Sequence, residues 1–200
     1  MDFGTIGAGT VAQAIAGHLV AAGHRVVLSN SRGPATLSDL VESLGPLATA
    51  GTSAEAAAAD MVFLAVGWTA IPGALAGLPT WDGRILVDTT NHFTGATPRD
   101  LADLGGRTGS EIVADHAPGA RVVKAFNTLY AKYIAPDPRH AEGRQLLFYA
   151  GDDAAAKSAF REVADGIGFA PVDAGSLRDG GRLMQVGGGP LSALHALKQD

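Results

Sequence analysis

Phe3-Gly4-Thr5-Ile6-Gly7-Ala8-Gly9-Thr10-Val11-Ala12-Gln13-Ala14-Ile15 is the stretch on which the fold turns. A short apolar run leads into Gly-x-Gly-x-x-Ala, and an alanine-rich helical pattern follows. That order, strand then tight turn then helix, is the setting of the dinucleotide-binding fingerprint. Gly7 permits the sharp turn. Gly9 has no side chain to keep a pyrophosphate off the backbone, and Ala12 keeps helix and strand close. The free N–H groups and positive dipole end of the helix, at Thr10 and Val11, then face the phosphates. In a chain with 27 glycines the motif alone would be weak. A second strand-like segment, Arg25-Val26-Val27-Leu28, follows about twenty residues later and completes a βαβ unit.

Working outward, short apolar segments alternate with helical patterns. Strands are expected at Asp2–Ile6, Arg25–Ser29, residues 61–66, Ile85–Asp88 and Arg121–Ala125. Each is continuously apolar, as buried parallel strands are. Helices are expected over 10–22, stopped by Gly23, then over 37–44, 53–59 with Ser53 as N-cap, and 108–117. Repeated β-α alternation predicts an α/β doubly wound parallel sheet, a Rossmann NAD(P)-binding domain over residues 1–126. After Phe126 the pattern changes. A surface loop is expected over 137–144, an apolar segment over 145–150, a helix from near Asp153 to near Ile167, a strand at Ala170–Asp173 and a helical tail. Residues 127–200 are read as a small C-terminal lobe that forms a cleft with the first unit and carries the dimer contact.

The composition bounds the function. A net charge of −5 argues against nucleic acid as a partner. The absence of cysteine removes disulfides and thiolate metal sites. No apolar run approaches the roughly 20 residues that span a bilayer, so no membrane partner and a cytoplasmic location are expected. No clustered His, Asp and Glu spacing suggests a metal site.

The second strand ends in Ser29-Asn30-Ser31-Arg32. NAD-preferring sites place an acidic residue here to hold the ribose hydroxyls. None is present. Ser29 and Ser31 can donate to a 2′-phosphate, Arg32 can pair with it or stack on adenine, and Asn30 is counted with them as cofactor-binding. The expectation is NADP(H).

Six further pieces run in order along the chain: Ile6-Gly7-Ala8-Gly9, Ser29-Asn30-Ser31-Arg32, Ala65-Val66-Gly67-Trp68, Asp88-Thr89-Thr90-Asn91, Val122-Val123-Lys124-Ala125-Phe126-Asn127-Thr128-Leu129, and Ala150-Gly151-Asp152-Asp153 with a later Asp173-Ala174-Gly175-Ser176-Leu177. On these the chain resembles the NADPH-dependent reductases related to the F420-dependent NADP oxidoreductases, whose Rossmann domain also occurs in the STEAP ferric reductases. The resemblance implies a homodimer. It also implies hydride transfer between NADP(H) and a second ring cofactor, F420 or a flavin, or a small-molecule acceptor, in the cleft between the lobes. Two departures from the family pattern stand out: His92 where proline commonly follows Thr-Asn, and a tail, Gln185-Val186-Gly187-Gly188-Gly189-Pro190, that three glycines and a proline loosen.

Loops at the carboxyl ends of parallel strands line the cofactor cleft. Val66, Gly67 and Trp68 follow one such strand, Thr90, Asn91 and His92 the next, and Asn127 the last, so these residues are expected around the nicotinamide. Asn127 and His92 are the catalytic candidates: the resemblance implies that Asn127, with Thr128, binds the nicotinamide amide or shapes the acceptor site, though Asn127 could equally cap the next helix, and His92 could donate to an acceptor carbonyl or relay a proton. Ring-to-ring hydride transfer needs little side-chain acid–base chemistry. Reduction of a small carbonyl or imine would need a proton donor, His92 or a tyrosine such as Tyr130. A module that binds NADPH without chemistry is the third possibility. Lys124 inside an apolar strand is expected to snorkel or pair.

Overall fold

The computed structural model of the chain describes residues 1–97 and 99–199. In chain order the elements are β1 (Asp2–Ile6), α1 (Thr10–Ala21), β2 (Arg25–Ser29), α2 (Ser38–Leu44), β3 (Ala48–Ala50), α3 (Ser53–Ala57), β4 (Met61–Leu64), α4 (Ile71–Leu75), β5 (Ile85–Asp88), α5 (Gly109–His116), β6 (Arg121–Ala125), α6 (Ala131–Ile134), β7 (Arg139–His140), β8 (Gly143–Gly151), α7 (Ala154–Gly166), β9 (Ala170–Asp173), α8 (Asp179–Met184) and β10 (Leu197–Lys198). The central path of the sheet runs β10-β8-β6-β5-β4-β1-β2-β3, with β7 and β9 pairing β8. From β3 to β6 every pairing is parallel; β8 joins β6 antiparallel. This is a Rossmann sheet, continued at one edge by β8, and one apolar core joins the two parts.

The apolar strands are apolar because both faces are covered. Phe3, Met61, Phe63, Ile85, Val87 and Val123 point to a core shared with α1 and α7. Their neighbours Ile6, Val62, Leu64, Leu86 and Val122 point the other way, onto α4 and α5. Glycine is compulsory at two close approaches in the first strand and the turn after it. A Cβ on Gly4 would lie 2.0 Å from the Ala56 carbonyl oxygen, which lets α3 pack on β1. Gly7 has φ +105° and a Cβ there would lie 2.2 Å from the Ala65 oxygen.

The register aligns the strand ends in one row. Ser29 pairs with Ile6, Ile6 with Leu64, Leu64 with Asp88 and Asp88 with Lys124. Whatever follows these residues is therefore delivered to one edge of the sheet.

Several sequence expectations are corrected. The strand expected over 61–66 ends at Leu64; Ala65 N–H makes the last bond to β1, at the Ile6 carbonyl, and the chain then turns away. The N-cap of α3 is Thr52, not Ser53: Thr52 and Glu55 form a capping box, and only Thr52 lies three residues before the glutamate. The first turn expected at 37 is a 3-10 turn over Pro34–Leu37, where proline opens the segment. The loop expected over 137–144 holds the two-residue β7 paired to the start of β8. The helical tail is six residues long, ending at Met184; Gly187 has φ +88°.

Candidate functional site

At the turn after β1, Gly7 N–H bonds the Ser29 carbonyl (3.0 Å), and the chain passes through Ala8 and Gly9 into α1. Gly9 is the N-cap of α1 and supplies no side-chain cap; the first turn holds no acidic residue. The helix therefore begins with N–H groups that no side chain satisfies. Gly9 is exposed and a Cβ there would meet nothing within 4 Å. Space, free N–H donors and the positive end of a 12-residue helix coincide at Thr10 and Val11, as a pyrophosphate requires.

The turn after β2 splits the residues expected there. Ser29 is fully buried and its hydroxyl donates to the Thr5 carbonyl (2.7 Å). The expectation that Ser29 donates to a phosphate is thereby corrected: the last residue of a strand faces inward when the row of strand ends is packed. Asn30 shapes the turn, its Oδ1 accepting from Arg32 N–H and its Nδ2 donating to Thr36, both at 2.9 Å. Ser31 and Arg32 are exposed beyond it, and Arg32 makes no ion pair among the described residues.

The far end of the row closes into a small pocket lined by Trp68, Asn91, His92, Lys124, Asn127 and, from the lobe, Gln185. The loop after β4 brings Trp68, whose ring meets the His92 imidazole edge-on at 6.2 Å between centroids. The loop after β5 brings Asn91 and His92. The turn after β6 is sharper: Phe126 has φ +64°, a left-handed conformation rare for a bulky residue. Its ring stays in the core, against Phe63, Phe160 and Phe169. The reversal puts Asn127 beside Asn91. Asn91 Nδ2 donates to the Asn127 carbonyl (3.0 Å), and Asn127 Nδ2 donates to Asn91 Oδ1 (3.2 Å) and to the Met184 carbonyl (2.8 Å). Asn127 Oδ1 is buried and has no partner among the described residues. The alternative that Asn127 caps the next helix is not what is found; the N-cap of α6 is Tyr130.

Beneath these residues lies a buried charge network. Asp88 Oδ1 accepts from Thr90 N–H (2.8 Å) and the Thr90 hydroxyl (2.7 Å). Its Oδ2 accepts from Ser110 (2.7 Å) and Lys124 Nζ (3.0 Å). Lys124 also donates to the Thr90 carbonyl. The Thr90 hydroxyl is thus committed to Asp88 and not offered to a ligand. Burial pushes the Lys124 pKa down, and the Asp88 carboxylate opposes that shift. Burial also lowers the His92 pKa below 6.5, and the Lys124 charge lowers it further. Both effects favour the neutral imidazole.

A larger hollow, about 810 Å³, runs along the outer side of α1 against α6 and shares only Thr10 with the strand-end row. It holds none of the buried polar groups above.

Residues 2–92 match the family model described as NADP oxidoreductase, coenzyme F420-dependent. The chain resembles solved structures over a longer span. It is 39% identical to the hypothetical protein SMa0349 from Sinorhizobium meliloti, whose crystal structure it matches with a TM-score of 0.93 over 100% of this chain and 96% of that one. A candidate F420-dependent NADP-reductase from Arthrobacter sp. FB24 is 28% identical, with a TM-score of 0.77 over 88% of this chain and 86% of that one. The metalloreductase STEAP3 of Rattus norvegicus is 32% identical over 177 residues, 87% of this chain. The chain spans 34% of the length of that relative. No helix among the described residues is long and apolar enough to cross a membrane.

The structure brings Trp68, Asn91, His92 and Asn127 together, and keeps Gly7, Gly9, Thr10, Val11, Asn30, Ser31 and Arg32 along the other half of the same edge. Val66 and Gly67 form the turn into the Trp68 loop. Sequence reasoning missed Ser110 as a pocket residue, and it left Lys124 outside the site. A lysine in an otherwise apolar strand was the available signal.

Proposed function

We propose that this protein is an NADP(H)-dependent oxidoreductase that moves hydride between the nicotinamide and a second ring, F420 or a flavin, lodged against the pocket of Trp68, Asn91, His92 and Asn127. The observation that carries the reading is the convergence of three strand-end loops and α8 on that pocket, in line with the uncapped helix start at Gly9. Bound NADPH would supply the hydride. The chain's own residues bind and orient. The α1 N-terminus and Gly9 take the pyrophosphate. Ser31 and Arg32 take the adenosine 2′-phosphate. The reciprocal Asn91–Asn127 bonds fix the two loops around the ring, and Trp68, His92 and Gln185 exclude water.

The second reading, reduction of a small carbonyl or imine with His92 as proton donor, is disfavoured by one observation. A general acid works best with its pKa near the operating pH, and burial beside Lys124 lowers that of His92. The resemblance to the F420-dependent NADP oxidoreductases supports a homodimer, checked by light scattering. Mixing the purified protein with NADPH and oxidised F420, then FMN, then carbonyl and imine acceptors, while following NADPH absorbance, tests the reading. Oxidation with a ring acceptor is expected. Turnover confined to carbonyls or imines replaces it with the second reading, and tight NADPH binding without turnover replaces it with a sensor module.

A further inference from the structure

We infer that the ring acceptor carries a polyol phosphate chain, and that this chain lies in the hollow between the segment after β5 and α8, with its phosphate on the Arg182 guanidinium. The inference rests on the reading of a ring acceptor above.

The strand-end pocket holds about 10 Å³, so a ring lies against its wall and not inside it. Two residues of that wall, His92 and Gln185, also line a second hollow of about 380 Å³. Its other sides bring Asp103, Arg107 and Arg182. The size suits a fragment of a small molecule, since ligand clefts run from roughly 300 to 1,000 Å³. Two bonds shape the hollow. Ala102 N–H donates to the His92 carbonyl (2.9 Å) and closes the segment after β5 into a loop. Arg182 Nη2 donates to the Gly106 carbonyl and ties α8 to that loop.

The polar groups around the hollow are unequally engaged. Arg107 is committed, Nη1 to Asp115 (2.6 Å) and Nη2 to the Glu111 carbonyl (2.9 Å). Arg182 makes no ion pair among the described residues, so its charge and the rest of its fork of donors stay open. Asp103 lines the same hollow without pairing to it; Asp103 Oδ1 accepts from Gly105 N–H (2.9 Å). Gln185 Oε1 accepts from Gly109 N–H (3.3 Å), which fixes the amide and leaves Nε2 without an acceptor among the described residues. The shared wall thus offers an amide donor, and the hollow behind it offers a tethered guanidinium and, apart from it, a carboxylate.

That set complements one kind of chain. Phosphate matches the guanidinium fork, and such charge-assisted bonds are the strong ones. The hydroxyls of a polyol donate to a carboxylate and accept from an amide N–H. A hydrocarbon chain would leave all three groups unpaired, and a cationic one would meet Arg182 with like charge. Flavin and deazaflavin acceptors share this chemistry, a ribityl chain that ends in phosphate.

Steady-state rates with FMN against riboflavin, and with F420 against its phosphate-free deazaflavin core, test this, read by NADPH absorbance. The pair that turns over names the ring. Within it, wild-type kcat/KM should be about tenfold or more higher for the phosphorylated member. Arg182→Gln should erase that preference through KM, while the rate with the phosphate-free member and the calorimetric affinity for NADPH hold. Arg182→Lys, which keeps the charge without the fork, should fall between. Lys132→Met, in the larger hollow along α1, should change nothing. If Arg182→Gln does not fold, the wild-type preference and its reduction in Arg182→Lys decide. Equal wild-type kcat/KM with and without phosphate overturns the inference and leaves the ring reading standing. An equal loss for both members in the Arg182 variants, or a selective loss in Lys132→Met, overturns it as well. A wild type that oxidises NADPH with none of these acceptors overturns the ring reading, and the inference with it.

Discussion

The two ends of the strand-end row are built differently. The turn after β2 is local and open: Asn30, Arg32 and Thr36 bond one another within seven residues, and Ser31 and Arg32 stand in solvent. The pocket at the other end is buried and distant in sequence. Asn91 meets Asn127 across 36 positions, and Asn127 meets Met184 across 57. Specificity for one phosphate can be set by a few exposed side chains without disturbing the fold. Placement of a reacting ring to a fraction of an ångström cannot, and it draws on four elements and the core behind them.

Substitutions at the two ends should separate accordingly. The largest effect is expected between them, at the shared pyrophosphate turn. Gly9→Val should abolish binding of NADPH and NADH alike while the protein stays folded, because the added side chain meets only the space a ligand would fill. Circular dichroism and calorimetry check both halves, and a folded variant with intact NADPH affinity would mean that the turn holds no pyrophosphate.

Asn127→Ala should lower turnover on the order of 100-fold, well beyond its effect on NADPH affinity, since it displaces rather than detaches the ring. Steady-state kinetics against binding distinguishes the two, and a loss confined to KM would erase the contrast between the ends. Arg32→Ala should weaken NADPH about tenfold, ~1.4 kcal/mol, and leave NADH nearly unchanged. Equal losses for both nucleotides would show that the exposed end does not read the phosphate.

His92→Asn should leave most of a ring-to-ring rate intact, whereas a proton donor's loss costs roughly 100-fold or more. The same histidine gives the smallest effect, on stability. Its folded pKa lies below the ordinary 6.5, so the unfolded chain takes up the proton first. Its contribution is complete above that value and is lost as pH falls through it toward the folded pKa. Urea melts across this range should show a slope that His92→Asn flattens; identical slopes in both proteins would mean that the imidazole is not held neutral.

Much of this was legible in the sequence. β1, β2, β5, β6 and β9 are continuous apolar runs bounded by turn residues, and their limits follow from pattern alone. β3, Ala-Thr-Ala, is too short and too weakly β-forming to stand out, and the two residues of β10 are a strand only because β8 lies beside them. In the site, Trp68, Asn91, His92 and Asn127 were legible because position after a parallel strand predicts them. The Asp88–Lys124–Ser110 network was not, because it depends on the register of β5 against β6 and on where α5 begins. Ser29 was misread for a related reason: a hydroxyl at a strand end reads as available until the neighbouring strand's carbonyl is in place.

The left-handed residue Phe126 ties the buried end to the whole molecule. Its ring is wedged among Phe63, Phe160 and Phe169, so the turn that aims Asn127 cannot relax unless the core opens. In hydrogen-exchange terms, the amides around Asn127 should open only with global unfolding, whereas those around Ser31 and Arg32 can fray on their own. Warming should therefore blunt the choice between NADPH and NADH before it blurs the geometry of hydride transfer, and a heat-adapted relative would need reinforcement at the exposed turn first.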